Sequence, residues 1–253
     1  MVIYTITQHS TNSGVSRFSW KTNDISFSQE NGREAVIKKF KIVKSAILNS
    51  LYNLGAWLSF YPEFHFYTVN ERIGNEIEGR KLLHNLNISV PEIFWHDDRE
   101  LTICMEMVRG KNFQEYCKSV DLNLIQDFSI KIGETLEKVH NAGYALVDCR
   151  SENFIISEDK LYVLDLEFFS KNGTTFQKKC DFATFYGSIL SLNSEIYEIV
   201  KMGFNEGYPY ELTKRDLMLI IGFSSLYPIS LKENLEETKN RAFNLFNLLK
   251  NNI

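Results

Sequence analysis

The sequence predicts an α+β chain in which strand pairs come first and helices follow. Three observations carry this. Asn31-Gly32 stands between two candidate strands, Ile25 to Ser28 and Ala35 to Phe40, and Asn-Gly favours the primed turns that close hairpins. Ile125, Phe128, Ile132, Leu136 and Val139 recur at steps of three and four, the period of a helix with one buried face. Phe154 to Ile156 and Leu161 to Leu164 flank the polar turn Ser157-Glu-Asp-Lys160, the pattern of a second hairpin.

In chain order, Val2 to Ile6 and Val15 to Trp20 read as strands around the polar turn ending in Gly14, whose backbone amides could cradle phosphate. Ser45 to Pro62 carries no charge, and Ile47, Leu48, Leu51, Leu54 and Leu58 repeat helically. Asn49, Ser50, Asn53 and Ser59 make it a poor membrane span. It is expected to be a helix packed on the sheet or, with Lys38 to Lys44 beside it, one that docks a membrane surface or a protein partner. Asn141-Ala-Gly143 ends the periodic helix that follows, Gly being the usual residue just past a helix. The last third is all helical: Phe182 to Met202, then Thr213 to Phe223 with Thr213 and Asp216 at cap spacing. A final helix is announced by the Ser230 and Glu233 capping box, with Leu231, Leu235, Thr238, Ala242, Leu245 and Leu249 on one face. No repeat or low-complexity linker divides the chain, so 1–253 is expected to be one unit.

The chemistry concentrates in Asp148-Cys-Arg-Ser-Glu-Asn153 and in Asp165 at the end of Leu161-Tyr-Val-Leu164. An Asp on a short loop can orient a hydroxyl, and an Asn five residues later with an Asp at a strand end can hold magnesium against ATP phosphates. The helix before Asp148 and the hairpin after Asn153 would place all three on loops at the mouth of the hairpin.

These residues resemble the protein-kinase-like superfamily, in its atypical branch containing the Ser/Thr kinase of the KEOPS tRNA-modification complex, the RIO kinases and the lipopolysaccharide sugar kinases. Leu146-Val147-Asp148 stands where KEOPS-type kinases carry His-Gly-Asp, and Val139-His140-Asn-Ala-Gly143 resembles the family's Leu-His-x-x-Gly. Glu34-Ala-Val-Ile-Lys38 is similar to the strand whose Lys grips the α- and β-phosphates, with Lys39 as the alternative by one register step. The resemblance implies a helical Glu partner for that Lys. Spacing to Asn87-Ile-Ser-Val90-Pro91, similar to the family's Gly-Val-x-Val-Pro, selects Glu78 over Glu76. Leu101 to Gly110 resembles the last small-lobe strand and hinge, whose backbone around Glu106 to Val108 would bond adenine, and Asp181 resembles the Asp that opens the central large-lobe helix. The resemblance covers roughly residues 30 to 190.

It implies a two-lobed fold, with an antiparallel-sheet lobe over 1–107 and a helical lobe over 108–253 that holds a catalytic loop at 146–153. It also implies ATP as cofactor with Mg²⁺, or Mn²⁺ in its place, held by Asn153 and Asp165. Lys38, Glu78, Glu106 and Val108 would bind the nucleotide, and Asp148 would be catalytic. The acceptor is a hydroxyl, on a protein Ser/Thr in the first reading and on a sugar or other small molecule in the second. Leu146 in place of His and the single Gly14 leave a third, a nucleotide-binding pseudokinase scaffold. Asp165-Leu-Glu167 replaces Asp-Phe-Gly and resembles the Asp-Phe-Glu of small-molecule kinases, whereas the Asp165 to Asp181 separation is closer to the KEOPS-type pattern. No Ala-Pro-Glu follows Asp165, which argues against a conventional peptide-docking segment.

Composition agrees. At 253 residues the chain is long enough for a large core, and a net charge of -4 gives no global basic field for nucleic acid. Four scattered Cys without a Cys-x-x-Cys pair, and a start without a signal-peptide pattern, predict a reduced cytoplasmic protein, peripheral to a membrane if 45–62 docks there. The five His lack metal-site spacing and are expected to be surface or packing residues. Cys149, beside Asp148, is either a buried filler or a redox-sensitive thiol.

Overall fold

Asn31 (φ 51°) and Gly32 (φ 78°) both take the left-handed backbone that a type I′ turn demands, so the first hairpin closes where the Asn-Gly pair places it. The computed structural model describes residues 23–41, 67–119, 121–230 and 233–252. The expected strands at 2–6 and 15–20, the Gly14 turn and the uncharged stretch 45–62 lie outside these residues.

Among the described residues, β1 (Asn23–Glu30), β2 (Arg33–Phe40), β3 (Ile93–Asp97) and β4 (Thr102–Glu106) form an antiparallel sheet in the order β1-β2-β4-β3. The two-residue period of β2 buries Val36, Lys38 and Phe40 on one face and leaves Lys39 outside, bonded to Glu100. Strand β3 has no counterpart among the predicted strands, because Ile-Phe-Trp-His-Asp is too short and too exposed to show a clean alternation. Helix α1 (Val69–Asn85) packs on the inward face of the sheet, where Val69 and Ile73 join Val36, Phe40, Ile103 and Met105. Its start is set by a capping box: Thr68 Oγ1 accepts from the Glu71 N–H, and the Glu71 carboxylate accepts from the Thr68 N–H.

After β5 (Lys111–Asn112) and the single turn α2 (Phe113–Tyr116), the chain becomes helical. Helix α3 (Leu122–Asn141) buries the Ile125, Phe128, Ile132, Leu136 and Val139 stripe and stops at Gly143 (φ 84°). A 3₁₀ turn (Ser151–Asn153) leads into β6 (Phe154–Ser157), which pairs with β5 and with β7 (Lys160–Val163), confirming the second hairpin. Four helices follow: α4 (Thr175–Ile189), α5 (Ser194–Gly207), α6 (Lys214–Ser230) and α7 (Leu235–Asn252). The chain thus joins a small antiparallel sheet, with its helix, to a helical part with a separate core built on α3, α4 and α5.

Three expected boundaries move. The helix expected over 182–202 is two helices, because Asn193 caps a new start by accepting from the Ile196 N–H at 2.9 Å. The first of them begins earlier than Phe182, at a Thr174 and Gln177 capping box, so Asp181 lies within α4 and does not open it. Ser230 ends α6, and the last helix is capped instead by Asn234 with Glu237, each bonding the other's N–H at 3.0 Å.

Candidate active site

Lys38 points from β2 into the space under α1, and its ammonium is 1% exposed. Burial of an unpaired ammonium would cost several kcal/mol, so its partners decide whether the site can exist. Asp165 Oδ1 lies at 2.8 Å, Glu76 Oε1 at 3.2 Å and Glu167 Oε2 at 3.5 Å. Two further buried cations complete the group: Arg80 at 3.0 Å from Glu76, and Arg72 at 2.6 Å from Glu167. Among the described residues, three cations and three carboxylates therefore meet in one buried cluster.

The predicted pairing of Lys38 with Glu78 is corrected here. Residues 72, 73, 76, 80 and 83 form the inward face of α1, and Glu78 falls about 160° from it around the helix, some two residues out of phase. Glu78 is 45% exposed and pairs with Lys171 at 3.0 Å, whereas Glu76 is 1% exposed and also accepts from the Leu166 N–H at 3.0 Å. Motif spacing to Val90-Pro91 gave the wrong helical phase. The signal that could have found Glu76 was its membership of the 72-73-76-80-83 face.

Burial pushes Asp165 up, but the charge and hydrogen bond of Lys38 more than offset it and hold this carboxyl well below the usual range. Burial prevails at Glu76, which is raised despite Lys38 and Arg80.

Hydrogen bonds tie the loop from Asp148 to Asn153 to the hairpin end beside this cluster. Asn153 Nδ2 donates to the Asp148 carbonyl at 2.9 Å, and the Asn153 carbonyl accepts from the Leu164 N–H at 2.9 Å, so Asn153 sits next to Asp165 across the hairpin end. Asn153 Oδ1 is buried and has no hydrogen-bond partner among the described residues. A buried, unpaired amide oxygen costs free energy unless something fills its place, and an oxygen-seeking cation does so. No cluster of three or more His, Cys, Asp or Glu suited to a metal occurs among the described residues. Asn153 and Asp165 together fit Mg²⁺, which takes few protein oxygens and leaves the rest to phosphate and water.

Asp148 is gripped by Arg150 through two bonds, Nε to Oδ1 at 2.7 Å and Nη2 to Oδ2 at 2.6 Å, with both side chains partly open to solvent. Arg150 had no role from the sequence, although a basic residue two positions from the candidate base is a visible signal. Val147 precedes Asp148 with φ 70°, a costly conformation for a β-branched residue. Its neighbours hold it there: Asp181 Oδ2 accepts from the Leu146 N–H at 3.0 Å and from His140 Nε2 at 2.9 Å, and Tyr208 reaches His140 Nδ1 at 3.2 Å. The shared Asp181 oxygen implies that Nε2 of His140 carries a proton. Burial raises Asp181 despite these donors. Leu146 is buried in the core, where its side chain packs.

Cys149 is fully buried, and burial, with the Asp181 and Asp148 charges, pushes its thiol well up, so the redox-sensitive alternative loses its chemical basis. Ser151 shapes the loop, its N–H donating to Ser188 Oγ at 2.9 Å. At the expected hinge, the Met107 N–H donates to the Glu34 carbonyl at 3.0 Å, and Gly110 passes so close to β6 that an added Cβ would lie 2.2 Å from the Ile156 carbonyl. A cavity of about 330 Å³ is lined by Arg33, Glu34, Glu106, Val108 and Tyr162 among others, beside the hinge and apart from Lys38 and Asp165.

No family model matches the chain. Over 131 residues it is 28% identical to a probable bifunctional tRNA threonylcarbamoyladenosine biosynthesis protein of Methanococcus maripaludis, covering 51% of this chain and 23% of that protein. Over 104 residues it is 25% identical to the KEOPS complex subunit Bud32 of Pyrococcus abyssi, covering 41% of this chain and 47% of that subunit. The aligned part thus spans less than half the length of these relatives. A solved structure of WaaP in complex with acyl carrier protein aligns with 94% of this chain and 87% of its own, at 14% identity and a TM-score of 0.49. Over part of its length the chain is thus similar in sequence to a KEOPS complex subunit and to a tRNA threonylcarbamoyladenosine biosynthesis protein, and its described residues join a small antiparallel sheet to a helical part.

Proposed function

We propose that the chain is an ATP- and Mg²⁺-dependent phosphotransferase that moves the γ-phosphate to a hydroxyl. One observation carries this reading: a buried Lys38 converges with Glu76 and Asp165 beside an unpartnered Asn153 oxygen. Lys38, held by Glu76, binds the α- and β-phosphates, and the backbone of Glu106 and Val108 meets adenine. Asn153 and Asp165 hold the cation, which supplies charge neutralisation at the phosphate oxygens. Asp148 orients the acceptor hydroxyl and takes its proton, while Arg150, already 2.6 Å from that carboxylate, keeps it aligned and can shift toward transferring phosphate. Catalysis here is chiefly positioning and electrostatics.

The acceptor we favour is a protein Ser/Thr, with the chain acting as an atypical kinase of KEOPS or RIO type within a protein complex. The KEOPS-related sequence matches support it. A second reading, a small-molecule or sugar kinase, draws on the segment after Asp165. Ser170 pairs with Ala145 and the Gly173 N–H bonds the Gly143 carbonyl at 2.8 Å, which stitches that segment to the catalytic loop and leaves little free backbone for a peptide. No helix among the described residues is long and apolar enough to cross a membrane. A cytoplasmic site of action, and docking of a partner or membrane through 45–62, are part of the proposal.

Incubation with γ-labelled ATP and Mg²⁺, alone and with candidate sugars, tests it. Label on protein supports the first acceptor and label on sugar the second. ATP-dependent thermal stabilisation without any turnover would replace both with a nucleotide-binding scaffold.

A further inference from the structure

Glu167 stands two residues beyond Asp165, where a carboxylate could serve as another cation ligand. The structure gives it other work. Its Oε2 accepts from Arg72 Nη2 at 2.6 Å and from Asn23 Nδ2 at 2.9 Å, with Lys38 Nζ at 3.5 Å. Arg72 Nη2 also donates to Asn23 Oδ1 at 2.8 Å, closing a ring of three side chains. The Glu167 carbonyl accepts from Asn75 Nδ2 at 3.3 Å. Arg72 is wholly buried, its guanidinium 5.3 Å above the Phe40 ring. One residue is thereby tied to β1 through Asn23, to β2 through Lys38, and to α1 through Arg72 and Asn75.

A divalent ion bound at this carboxylate would face two cations already within 3.5 Å of the same oxygen. That field opposes a metal and favours a fixed counter-ion. We propose that Glu167 is a positioning residue and not a metal ligand: with Arg72 and Asn23 it straps the Asp165 loop to the sheet and α1, and so fixes Asp165 against Lys38. This rests on the phosphotransfer reading above. Glu167→Ala removes the acceptor that Arg72 and Asn23 share, whereas Glu167→Gln keeps an acceptor oxygen for them and removes the charge a metal would need.

The test compares Arg72→Met, Glu167→Ala, the double variant of these two, and Glu167→Gln with the wild type. Three quantities are read: affinity for a fluorescent ATP analogue in EDTA and in Mg²⁺, the Mg²⁺ half-saturation, and the unfolding midpoint without nucleotide. Arg72→Met and Glu167→Ala are each expected to weaken nucleotide binding about tenfold or more in both conditions, and their double variant to stay within about threefold of the weaker single variant. Glu167→Gln is expected to leave the Mg²⁺ half-saturation within about threefold. A rise of about tenfold or more in that half-saturation, or losses that add in the double variant, overturns the proposal. If Arg72→Met does not fold, Glu167→Gln alone decides. If the wild type binds no nucleotide, the phosphotransfer reading fails, and the unfolding midpoints still judge the strap: a double variant no less stable than the weaker single variant supports it and additive losses refute it.

Discussion

Replacing Glu76 with Ala should unfold the chain far more readily than replacing Glu78, although both lie on one helix. Glu76 is 1% exposed and receives Lys38 at 3.2 Å, Arg80 at 3.0 Å and the Leu166 N–H at 3.0 Å. Its removal leaves two buried cations short of charge and a buried amide without its acceptor. Breaking one buried pair costs about 3–5 kcal/mol. At about 2–4 °C per kcal/mol for a chain of this size, the midpoint should fall by roughly 6–20 °C. The Glu78 pair with Lys171 is exposed and contributes about 0–1 kcal/mol, so Glu78→Ala should move the midpoint by less than about 4 °C. Circular dichroism melts without nucleotide measure both. A larger loss for Glu78→Ala, or equal losses, would refute the phase assigned to α1 and with it the Lys38–Glu76 pair.

Asp165→Asn should lower Mg²⁺-dependent turnover at least about 10²-fold while far-UV dichroism stays native-like; the Asn is preferable to Ala because Asp165 is a buried partner of Lys38. Asp148→Asn should cut single-turnover phosphotransfer by about 10²- to 10⁴-fold and leave nucleotide affinity within about threefold, since its carboxylate contacts Arg150 and not Lys38 or Asp165 in the pairs described. Alkaline pH should destabilise the fold. Burial pushes the Cys117 thiol up to about 12 and Cys149 higher than an ordinary thiol. Each folded pKa is raised, so the stabilisation is complete below the unfolded value near 8.5 and is lost as pH rises, by about 1.4 kcal/mol per pH unit per thiol. Urea midpoints should hold steady from about pH 7 to 8 and fall by pH 10; a flat profile would contradict the burial of both thiols.

Local rules of the sequence were reliable where a local rule sets the structure. The Asn31-Gly32 turn, the α3 stripe with its Gly143 stop and the hairpin after Asn153 follow from turn chemistry and period. Lys38 was legible through the resemblance of Glu34-Ala-Val-Ile-Lys38 to a phosphate-gripping strand, and the alternation of β2, which buries Val36, Lys38 and Phe40 together, separates it from Lys39. Asp148, Asn153 and Asp165 were legible as a spacing, and the hairpin brings the last two side by side. Glu76 was missed because a helix turns about 100° per residue, and spacing to a distant Pro does not determine its phase. Arg72 and Arg80 were missed, and Glu167 was noted only as a motif departure, for a different reason: charged residues normally read as surface, and only tertiary pairing of opposite charges brings them inside. The split between α4 and α5 was hidden because Ser191-Leu-Asn193 interrupts an otherwise apolar run, and the cap at Asn193 was not recognised.

Titration calorimetry of ATP, in Mg²⁺ and in EDTA, into the wild type and Lys38→Met tests the account most directly. The wild type should bind ATP, more tightly with Mg²⁺ present, and Lys38→Met should weaken that binding by at least about tenfold while remaining folded. Equal affinity in the two proteins, or no ATP binding by the wild type, would contradict a phosphate site built on Lys38, Glu76, Asn153 and Asp165.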